Sequence, residues 1–201
     1  MIYIDCEQGS DEWFEARRGI PTASGFASII TPKTGKLSAS ADVYIAELIA
    51  ETVVEEQDFQ GNQWTERGHL LEPEARNWYE FETGNTVTET GIILRDDRSA
   101  GVSPDGLIGT DGLLEIKCPK PSTHVYWFLA GELPDKHRPQ CHAALLLAER
   151  DWLDFVSYCP GFPALLLRVV PDYYTDKVAA ALATFNEKLS AARARIFGER
   201  E

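Results

Sequence analysis

Residues 103–119 read Ser-Pro-Asp-Gly-Leu-Ile-Gly-Thr-Asp-Gly-Leu-Leu-Glu-Ile-Lys-Cys-Pro, and this stretch decides the fold. Apolar residues flank the dipeptide Asp111-Gly112 on both sides. Both residues of the dipeptide tolerate positive φ, which is typical of a tight turn between two strands. The stretch therefore predicts a short β-hairpin that folds back about residues 109–112.

The predicted hairpin would bring three charged side chains together. Asp105 lies near the start of one arm and falls roughly opposite Glu115 on the other. Glu115 and Lys117 are two residues apart on one strand, so they share a face, whereas Ile116 points to the other face. Two carboxylates and an ammonium in one small space are unfavourable unless a cation binds the carboxylates. The pattern therefore indicates a divalent-metal hydrolytic site.

The alternative for these charges is an ordinary solvated strand face. Leu113, Leu114 and Ile116 surround Glu115 with apolar neighbours, which is the pattern of a buried strand. Charged residues rarely lie in such a strand without a function or a partner, and this favours the hydrolytic site.

Length and composition predict one globular domain over residues 1–201. The chain is 44% apolar and 25% charged, which is ordinary for a domain with a sizeable core. No apolar run reaches the roughly 18–20 residues that cross a bilayer, and the N-terminus lacks the pattern of a signal peptide. The four cysteines are widely spaced and form no CxxC pair, so we expect reduced thiols in a cytoplasmic protein rather than a zinc or thioredoxin-like site.

The net charge of −13 argues against a nucleic-acid partner when it is taken alone, because phosphate binding usually leaves a basic surface. A nuclease, however, needs positive potential only along one groove, and bound divalent cations cancel part of an acidic site. Basic residues do cluster locally, at Arg17-Arg18, at Lys33 with Lys36, at Lys117 with Lys120 and at Lys136-His137-Arg138.

The hydrophobic periodicity predicts helices first, then short strands, then helices and strands in alternation. Expected helices cover about residues 11–18, 23–30, 40–57, 65–83, 122–129, 135–149 and 172–197. Expected strands cover about 86–90, 91–95, the two arms of the hairpin, 152–158 and 164–170. Ser122 and Thr22 are the expected caps of two of these helices. The tryptophans are expected in the core: Trp13, Trp64, Trp78, Trp127 and Trp152. This order indicates an α/β fold with a mixed central sheet flanked by helices.

Several motifs in one order resemble a known family. Residues 103–106 and 114–119 match the PD-(D/E)xK nuclease motif. Residues 13–24 match W-x-x-x-R-x-G-x-x-T-A-S, and residues 68–76 match G-x-x-x-E-x-x-A-R. Gln140 falls where the family has a glutamine after the hairpin. The chain thus resembles the lambda exonuclease and YqaJ-like viral recombinase family of the PD-(D/E)xK superfamily, which implies a restriction-endonuclease-like core.

The resemblance implies a set of metal ligands. Asp105 and Glu115 would bind Mg²⁺, the carbonyl of Ile116 would add an oxygen ligand, and Glu72 would reach a metal directly or through water. Oxygen ligands suit Mg²⁺, with Mn²⁺ as a substitute. Two ions about 3.5–4 Å apart could activate water and stabilise the leaving oxygen.

The resemblance also implies roles for polar residues around the metal. Lys117 would orient or deprotonate the water and hold the scissile phosphate, and Gln140 would position the nucleophile or Lys117. Arg17 and Ser24 match the family's pocket for a 5′-terminal phosphate, which a guanidinium fork suits chemically. Taken without the resemblance, Arg17 is a surface arginine, Ser24 an ordinary helix residue, Gln140 a helix-surface amide and Glu72 a first-turn acid. Thr65, Leu70, Lys33 and Lys36 are candidates for the family's duplex-opening wedge and its basic neighbours.

The resemblance implies an ATP-independent exonuclease that digests one strand of duplex DNA from a 5′ end, releases mononucleotides and leaves a 3′ single-stranded tail. It further implies a toroidal homotrimer and a single-strand annealing protein as partner, in the bacterial cytoplasm and with no membrane association. The alternatives are an endonuclease of the same superfamily and a catalytically silent protein that binds DNA ends.

Overall fold

The computed structural model of the chain describes residues 1–54 and 63–198, and the side chains of residues 63–66 and 69 lie outside this description. The helices are α1 (Asp11–Arg17), α2 (Ala41–Ala50), α3 (Gln63–Thr83), α4 (Pro121–Ala130), α5 (Arg138–Ala148) and α6 (Tyr173–Phe197). Two 3-10 helices cover Ala23–Ser28 and Asp135–His137. The strands are β1 (Ile2–Ile4), β2 (Val87–Thr88), β3 (Ile92–Leu94), β4 (Gly101–Val102), β5 (Gly106–Ile108), β6 (Gly112–Lys117), β7 (Trp152–Ser157) and β8 (Leu165–Val169).

The central sheet has the strand order β2-β5-β6-β7-β8. Strands β6 and β7 pair in parallel, and the other neighbours pair antiparallel, so the predicted mixed sheet flanked by helices is confirmed. The expected strand over residues 91–95 lies instead in a second sheet, with the order β1-β3-β4. Strands β1 and β4 were not predicted, because segments of two or three residues are too short to show an alternating pattern.

The predicted hairpin is formed by β5 and β6, with Gly106 opposite Leu114 and Ile108 opposite Gly112. The chain folds back at residues 109–111, as predicted, but the positive φ lies at Gly109 (φ 54°) and not at Asp111 or Gly112. Gly112 already belongs to β6, and a Cβ there would lie 2.3 Å from the Trp152 ring. Gly112 is therefore required for close packing of β7 against β6.

Strand β6 is buried on both faces apart from its last residue. Leu114 and Ile116 belong to a core cluster that includes Tyr79 of α3. Leu113 belongs to the larger core cluster, to which α5 contributes most of its buried side chains. Because side chains alternate along a strand, Glu115 points to the same side as Leu113 and therefore towards α5.

Several helix ends differ from the expectations. Helix α2 ends at Ala50, and the expected end near residue 57 lies outside the described residues. Helix α3 already includes Gln63 and contains Pro73 in its interior. Lys120, not Ser122, is the N-cap of α4. Residues 135–137, expected to begin α5, form a 3-10 turn before it.

Helix α3 is fastened to the central sheet through the buried Asp154 of β7. The Tyr79 hydroxyl donates to Asp154 Oδ2 over 2.7 Å, and Arg168 donates to both carboxylate oxygens over 2.8 Å. Asp154 is 2% exposed, and these three hydrogen bonds offset the cost of burying its charge. The connection fixes the position of α3, which carries Glu72.

Only some of the expectations about individual side chains are met. Trp127 is buried, whereas Trp13, Trp78 and Trp152 are half-buried and therefore only border the core, and the side chain of Trp64 is outside the description. The four cysteines all lie in the described part of the chain and are free thiols. In residues 1–54 and 63–198, no helix combines the length and the apolar character that crossing a bilayer requires.

Candidate active site

The carboxylate of Glu115 lies at the centre of the site and is 2% exposed. Gln140 of α5 donates from Nε2 to Glu115 Oε1 over 2.6 Å, and Lys117 Nζ lies 2.5 Å from the same oxygen. Burial raises the pKa of Glu115 to about 7, although the ammonium of Lys117 opposes this change. The structure therefore brings together three of the residues singled out in the sequence, Glu115, Lys117 and Gln140.

Asp105 is held across the hairpin, immediately before β5. Its backbone N–H donates to the carbonyl of Leu114 over 3.1 Å. Its carboxylate Oδ2 accepts a hydrogen bond from the N–H of Ile116 over 2.5 Å. The predicted approach of Asp105 to the strand that carries Glu115 is thus confirmed in detail.

Glu72 reaches the same region from α3. Its Oε1 accepts from Arg76 Nη2 over 2.8 Å, and Arg76 also pairs through Nη1 with Glu89. Burial, and then the negative charge of Asp105, raise the pKa of Glu72 to about 7. Glu72 of α3 and Asp105 line the same cleft, although the two residues are 33 positions apart in the sequence.

Lys117 is surrounded by these carboxylates. Burial alone would lower the pKa of Lys117, but the charges of Glu115 and Asp105 outweigh it and hold that pKa above its ordinary value. Lys117 is consequently an ammonium in this arrangement. An ammonium can hold a phosphate or orient a water molecule, whereas deprotonating the water would first require the loss of its own proton.

The donor set fits a hard divalent cation in its chemistry. Three carboxylates repel one another, and the backbone carbonyl of Ile116 adds a neutral oxygen. In the described part of the chain, however, no group of three His, Cys, Asp or Glu residues has metal-holding geometry. Each carboxylate is turned to a protein partner: Glu72 to Arg76, Asp105 to the Ile116 N–H, and Glu115 to Lys117 and Gln140. Binding an ion would require these carboxylates to turn.

A second cluster gathers Arg17 and Ser24, as the motif predicts. Arg17 Nη2 donates to Thr22 Oγ1 over 2.9 Å, and Thr22 Oγ1 lies 3.4 Å from Ser24 Oγ. The Arg17 guanidinium lies 3.9 Å from the centre of the Trp13 ring. Thr22, expected as a helix cap, makes no capping side-chain bond and links Arg17 to Ser24 instead.

Arg17 of the second cluster lines one cleft of about 1890 Å³ together with Trp13, Glu72, Arg76 and Asp105. Trp13 Nε1 donates to Ser103 Oγ over 2.8 Å and so ties α1 to the chain that enters β5. Most other charged residues of the lining are acidic: Asp5, Glu7, Asp11, Glu12, Glu15, Glu47, Glu51 and Glu89. Without bound cations the cleft would repel the body of a nucleic acid.

The sequence did not reveal the ion pairs around Glu72. Arg76 belongs to the G-x-x-x-E-x-x-A-R motif, and its spacing of four residues from Glu72 on a helix is a signal for pairing. Glu89 lies beyond the end of α3, so no local pattern connects it to Arg76. Of the wedge candidates, Leu70 is exposed on α3, Lys33 pairs with Asp135 over 3.3 Å, and the Thr65 side chain is outside the description.

A mixed sheet whose hairpin presents Asp105, Glu115 and Lys117 to one site defines the PD-(D/E)xK class of nuclease folds. Residues 12–151 match the model of the YqaJ-like viral recombinase domain. The chain therefore belongs to the YqaJ-like viral recombinase family.

Solved structures agree with this membership. The alkaline exonuclease LHK-Exo from Laribacter hongkongensis is 34% identical, with a TM-score of 0.77 over 93% of this chain and 98% of that chain. A crystal structure of LHK-Exo in complex with dAMP gives the same values. A phage-related exonuclease from Haemophilus somnus 129PT is 15% identical, with a TM-score of 0.69 over 88% of this chain and 96% of that chain, and it shows the shared fold. No functionally curated protein sequence matches the chain significantly.

The raised pKa of Glu115 predicts how stability depends on pH without divalent ions. Because this pKa is about 7 in the folded protein and 4.5 ordinarily, the folded state retains the proton longer than the unfolded chain. The free energy of unfolding should therefore fall as pH rises through this window, with Glu115 contributing on the order of 2 kcal/mol. Urea denaturation in EDTA at several pH values between 5 and 8 measures the effect.

Glu115→Gln should show a flatter profile, because an amide has no proton to lose in this range. Glu187→Gln, an exposed change on α6, should follow the wild-type profile. A Glu115→Gln profile as steep as that of the wild type would contradict the assignment of the raised pKa to Glu115.

Proposed function

We propose that the protein is a Mg²⁺-dependent, ATP-independent exonuclease that digests one strand of linear duplex DNA from a 5′ end. Membership of the recombinase family and the 34% identity to an alkaline exonuclease support a DNA exonuclease. The choice of a 5′ end rests on Arg17, which lines the same cleft as the carboxylates of Asp105 and Glu72. An enzyme that cuts within a strand has no terminal phosphate to bind there.

The carboxylates of Asp105, Glu115 and Glu72 and the carbonyl of Ile116 would hold one or two Mg²⁺ ions, with Mn²⁺ as a substitute. Bound divalent ions would lower the pKa of a water molecule and neutralise charge on the leaving oxygen. For this arrangement Glu72 has to leave Arg76, which keeps Glu89 as a partner. Repulsion from Asp105 already opposes the ionised form of Glu72, so a nearby cation would relieve an existing cost.

Lys117 and Gln140 would act on the phosphate side of the centre. The Lys117 ammonium would hold the scissile phosphate and orient the attacking water. Gln140 would fix the orientation of the Glu115 carboxylate through its hydrogen bond of 2.6 Å. Both functions require the burial that β6 provides, since a drier surrounding strengthens each charge interaction.

The Arg17 cluster would bind the 5′-terminal phosphate. Arg17 offers a guanidinium, and Thr22 and Ser24 add hydroxyls within 3.4 Å of each other. These groups donate hydrogen bonds to phosphate oxygens with fixed geometry. Acidic residues around the rest of the cleft would discourage binding of internal duplex, so entry by an end is favoured.

The family resemblance also supports the assembly and the products. We propose a toroidal homotrimer around DNA, release of 5′ mononucleotides, and 3′ single-stranded tails that are handed to a single-strand annealing protein in the bacterial cytoplasm. A ring would let the excess acidity lie outside while basic residues face the duplex.

Two alternatives are an endonuclease of the same superfamily and a catalytically silent protein that binds DNA ends. Incubation with Mg²⁺ of a linear duplex and a covalently closed circle, followed by analysis of soluble nucleotides, separates all three. We expect mononucleotides from the linear duplex and no change in the circle. Linearisation of the circle would favour the endonuclease, and end binding without release of nucleotides would favour the silent protein.

Substitution of Arg17 tests the 5′-phosphate pocket. Arg17→Ala should lower the preference for a 5′-phosphorylated over a 5′-hydroxyl duplex by about tenfold, because one charge-assisted bond is worth roughly 1.5–3 kcal/mol. Rates of digestion of the two substrates give the ratio. Arg18→Ala is the matched control, since Arg18 pairs with Glu15 over 2.9 Å. Equal loss of activity on both substrates in Arg17→Ala would argue against the pocket.

A further inference from the structure

One exposed lysine close to the site has no acidic partner. Lys136 lies in the turn Asp135–His137 before α5, and its Nζ is 4.7 Å from the centre of the Trp127 ring. The neighbouring Asp135 pairs with Lys33 over 3.3 Å. Among the described residues Lys136 forms no ion pair, although the chain has 32 acidic against 19 basic residues. Lys136 is therefore a cation available to a ligand.

The aromatic ring under Lys136 packs against residues that border the active site. The rings of Trp127 and His137 lie 6.2 and 5.5 Å from the ring of Phe155. Phe155 on β7 is the strand partner of Glu115 on β6. His137 precedes Gln140 by three residues, about one helical turn, and Gln140 reaches Glu115. Lys136 therefore lies at the edge of the side chains that pack beside Glu115, which are Trp127, His137 and Phe155.

Lys136 lies within electrostatic reach of Lys117. Burial, and then the ammonium of Lys117, lower the pKa of Lys136. Burial, followed by Lys117 and Lys136, lowers the pKa of His137 to about 3, so His137 is neutral and adds no competing charge. Two ammonium groups within electrostatic reach of each other would both gain from an extended polyanion that passes between them.

The strand order places Lys136 on the opposite side of the centre from Arg17. Arg17 lies on α1, which Trp13 ties to Ser103 ahead of β5. Lys117 ends β6, whereas Lys136 lies over Trp127, whose ring is 6.2 Å from the ring of Phe155 on β7. Along the order β5-β6-β7, the Arg17 cluster, Lys117 and Lys136 therefore follow one another.

We propose that Lys136 binds a backbone phosphate of the substrate strand on the 3′ side of the scissile linkage. The inference rests on the proposed function, in which the 5′-terminal phosphate lies at Arg17 and the scissile phosphate at Lys117. The next phosphate of the strand then lies beyond Lys117, towards Lys136. The Trp127 ring stabilises the ammonium of Lys136 through a cation–π contact and keeps it at the surface, where a phosphate can bind.

Equilibrium binding of DNA tests the proposal apart from cleavage. The probe is a fluorescein-labelled 5′-phosphorylated duplex in Mg²⁺, and the parent protein carries Asp105→Asn to suppress digestion. Adding Lys136→Gln should weaken binding by roughly three- to tenfold and lower the slope of log affinity against log salt by about 0.9, as loss of one phosphate contact requires. Adding Lys136→Arg instead should preserve most of the affinity and the slope, because the charge remains.

Lys188→Gln is the matched control, because Lys188 on α6 is also exposed and pairs with Asp42 over 2.8 Å. It should leave affinity and salt slope unchanged. Binding of the Lys136→Gln protein equal to that of its parent at every salt concentration would overturn the proposal, as would an equal loss in Lys188→Gln. Release of mononucleotides from linear duplex by the wild type, with a closed circle left unchanged, would show that the proposed function stands whatever the result for Lys136. Failure of the wild type to bind or digest any duplex would overturn both proposals.

Discussion

The buried charge of Glu115 is the constraint on which the site depends. Strand β6 has a partner on each side and is covered on both faces, so a carboxylate in its middle loses nearly all contact with water. An isolated buried carboxylate would be neutral or would destabilise the fold. Lys117, two residues along the same face, and Gln140 from α5 both bind Glu115 and reduce this cost. The burial that makes the charge of Glu115 costly also strengthens its attraction for a cation.

The burial of negative charge also explains the contacts made by the residues around β6. Glu72 and Asp105 add negative charge beside Glu115, and each is balanced locally, by Arg76 and by the N–H of Ile116. The connection from Tyr79 of α3 to the sheet keeps Glu72 in place despite the repulsion. Each carboxylate thus has a protein partner in this arrangement, and a divalent cation would have to compete with that partner.

The sequence predicted what local pattern and motif could reveal. The hairpin, the approach of Asp105 to Glu115 and the mixed sheet follow from alternation and from turn residues. The positive φ of the turn is at Gly109. Gly112 lies within β6, where the absence of a Cβ leaves room for the Trp152 ring. Short strands such as β1, the partnership of Arg76 with Glu89, and the position of Lys136 over Trp127 are set by long-range contacts that no local pattern encodes.

Lys117→Ala tests whether the ammonium next to Glu115 acts on the scissile phosphate. Rapid mixing of the variant with a 5′-phosphorylated linear duplex in Mg²⁺ would measure cleavage, and anisotropy and calorimetry would measure binding of DNA and metal. Cleavage should fall at least about 100-fold while binding of DNA and of metal is retained, and Lys188→Ala should cleave like the wild type. Cleavage by Lys117→Ala at the wild-type rate would exclude a role of Lys117 at the scissile phosphate.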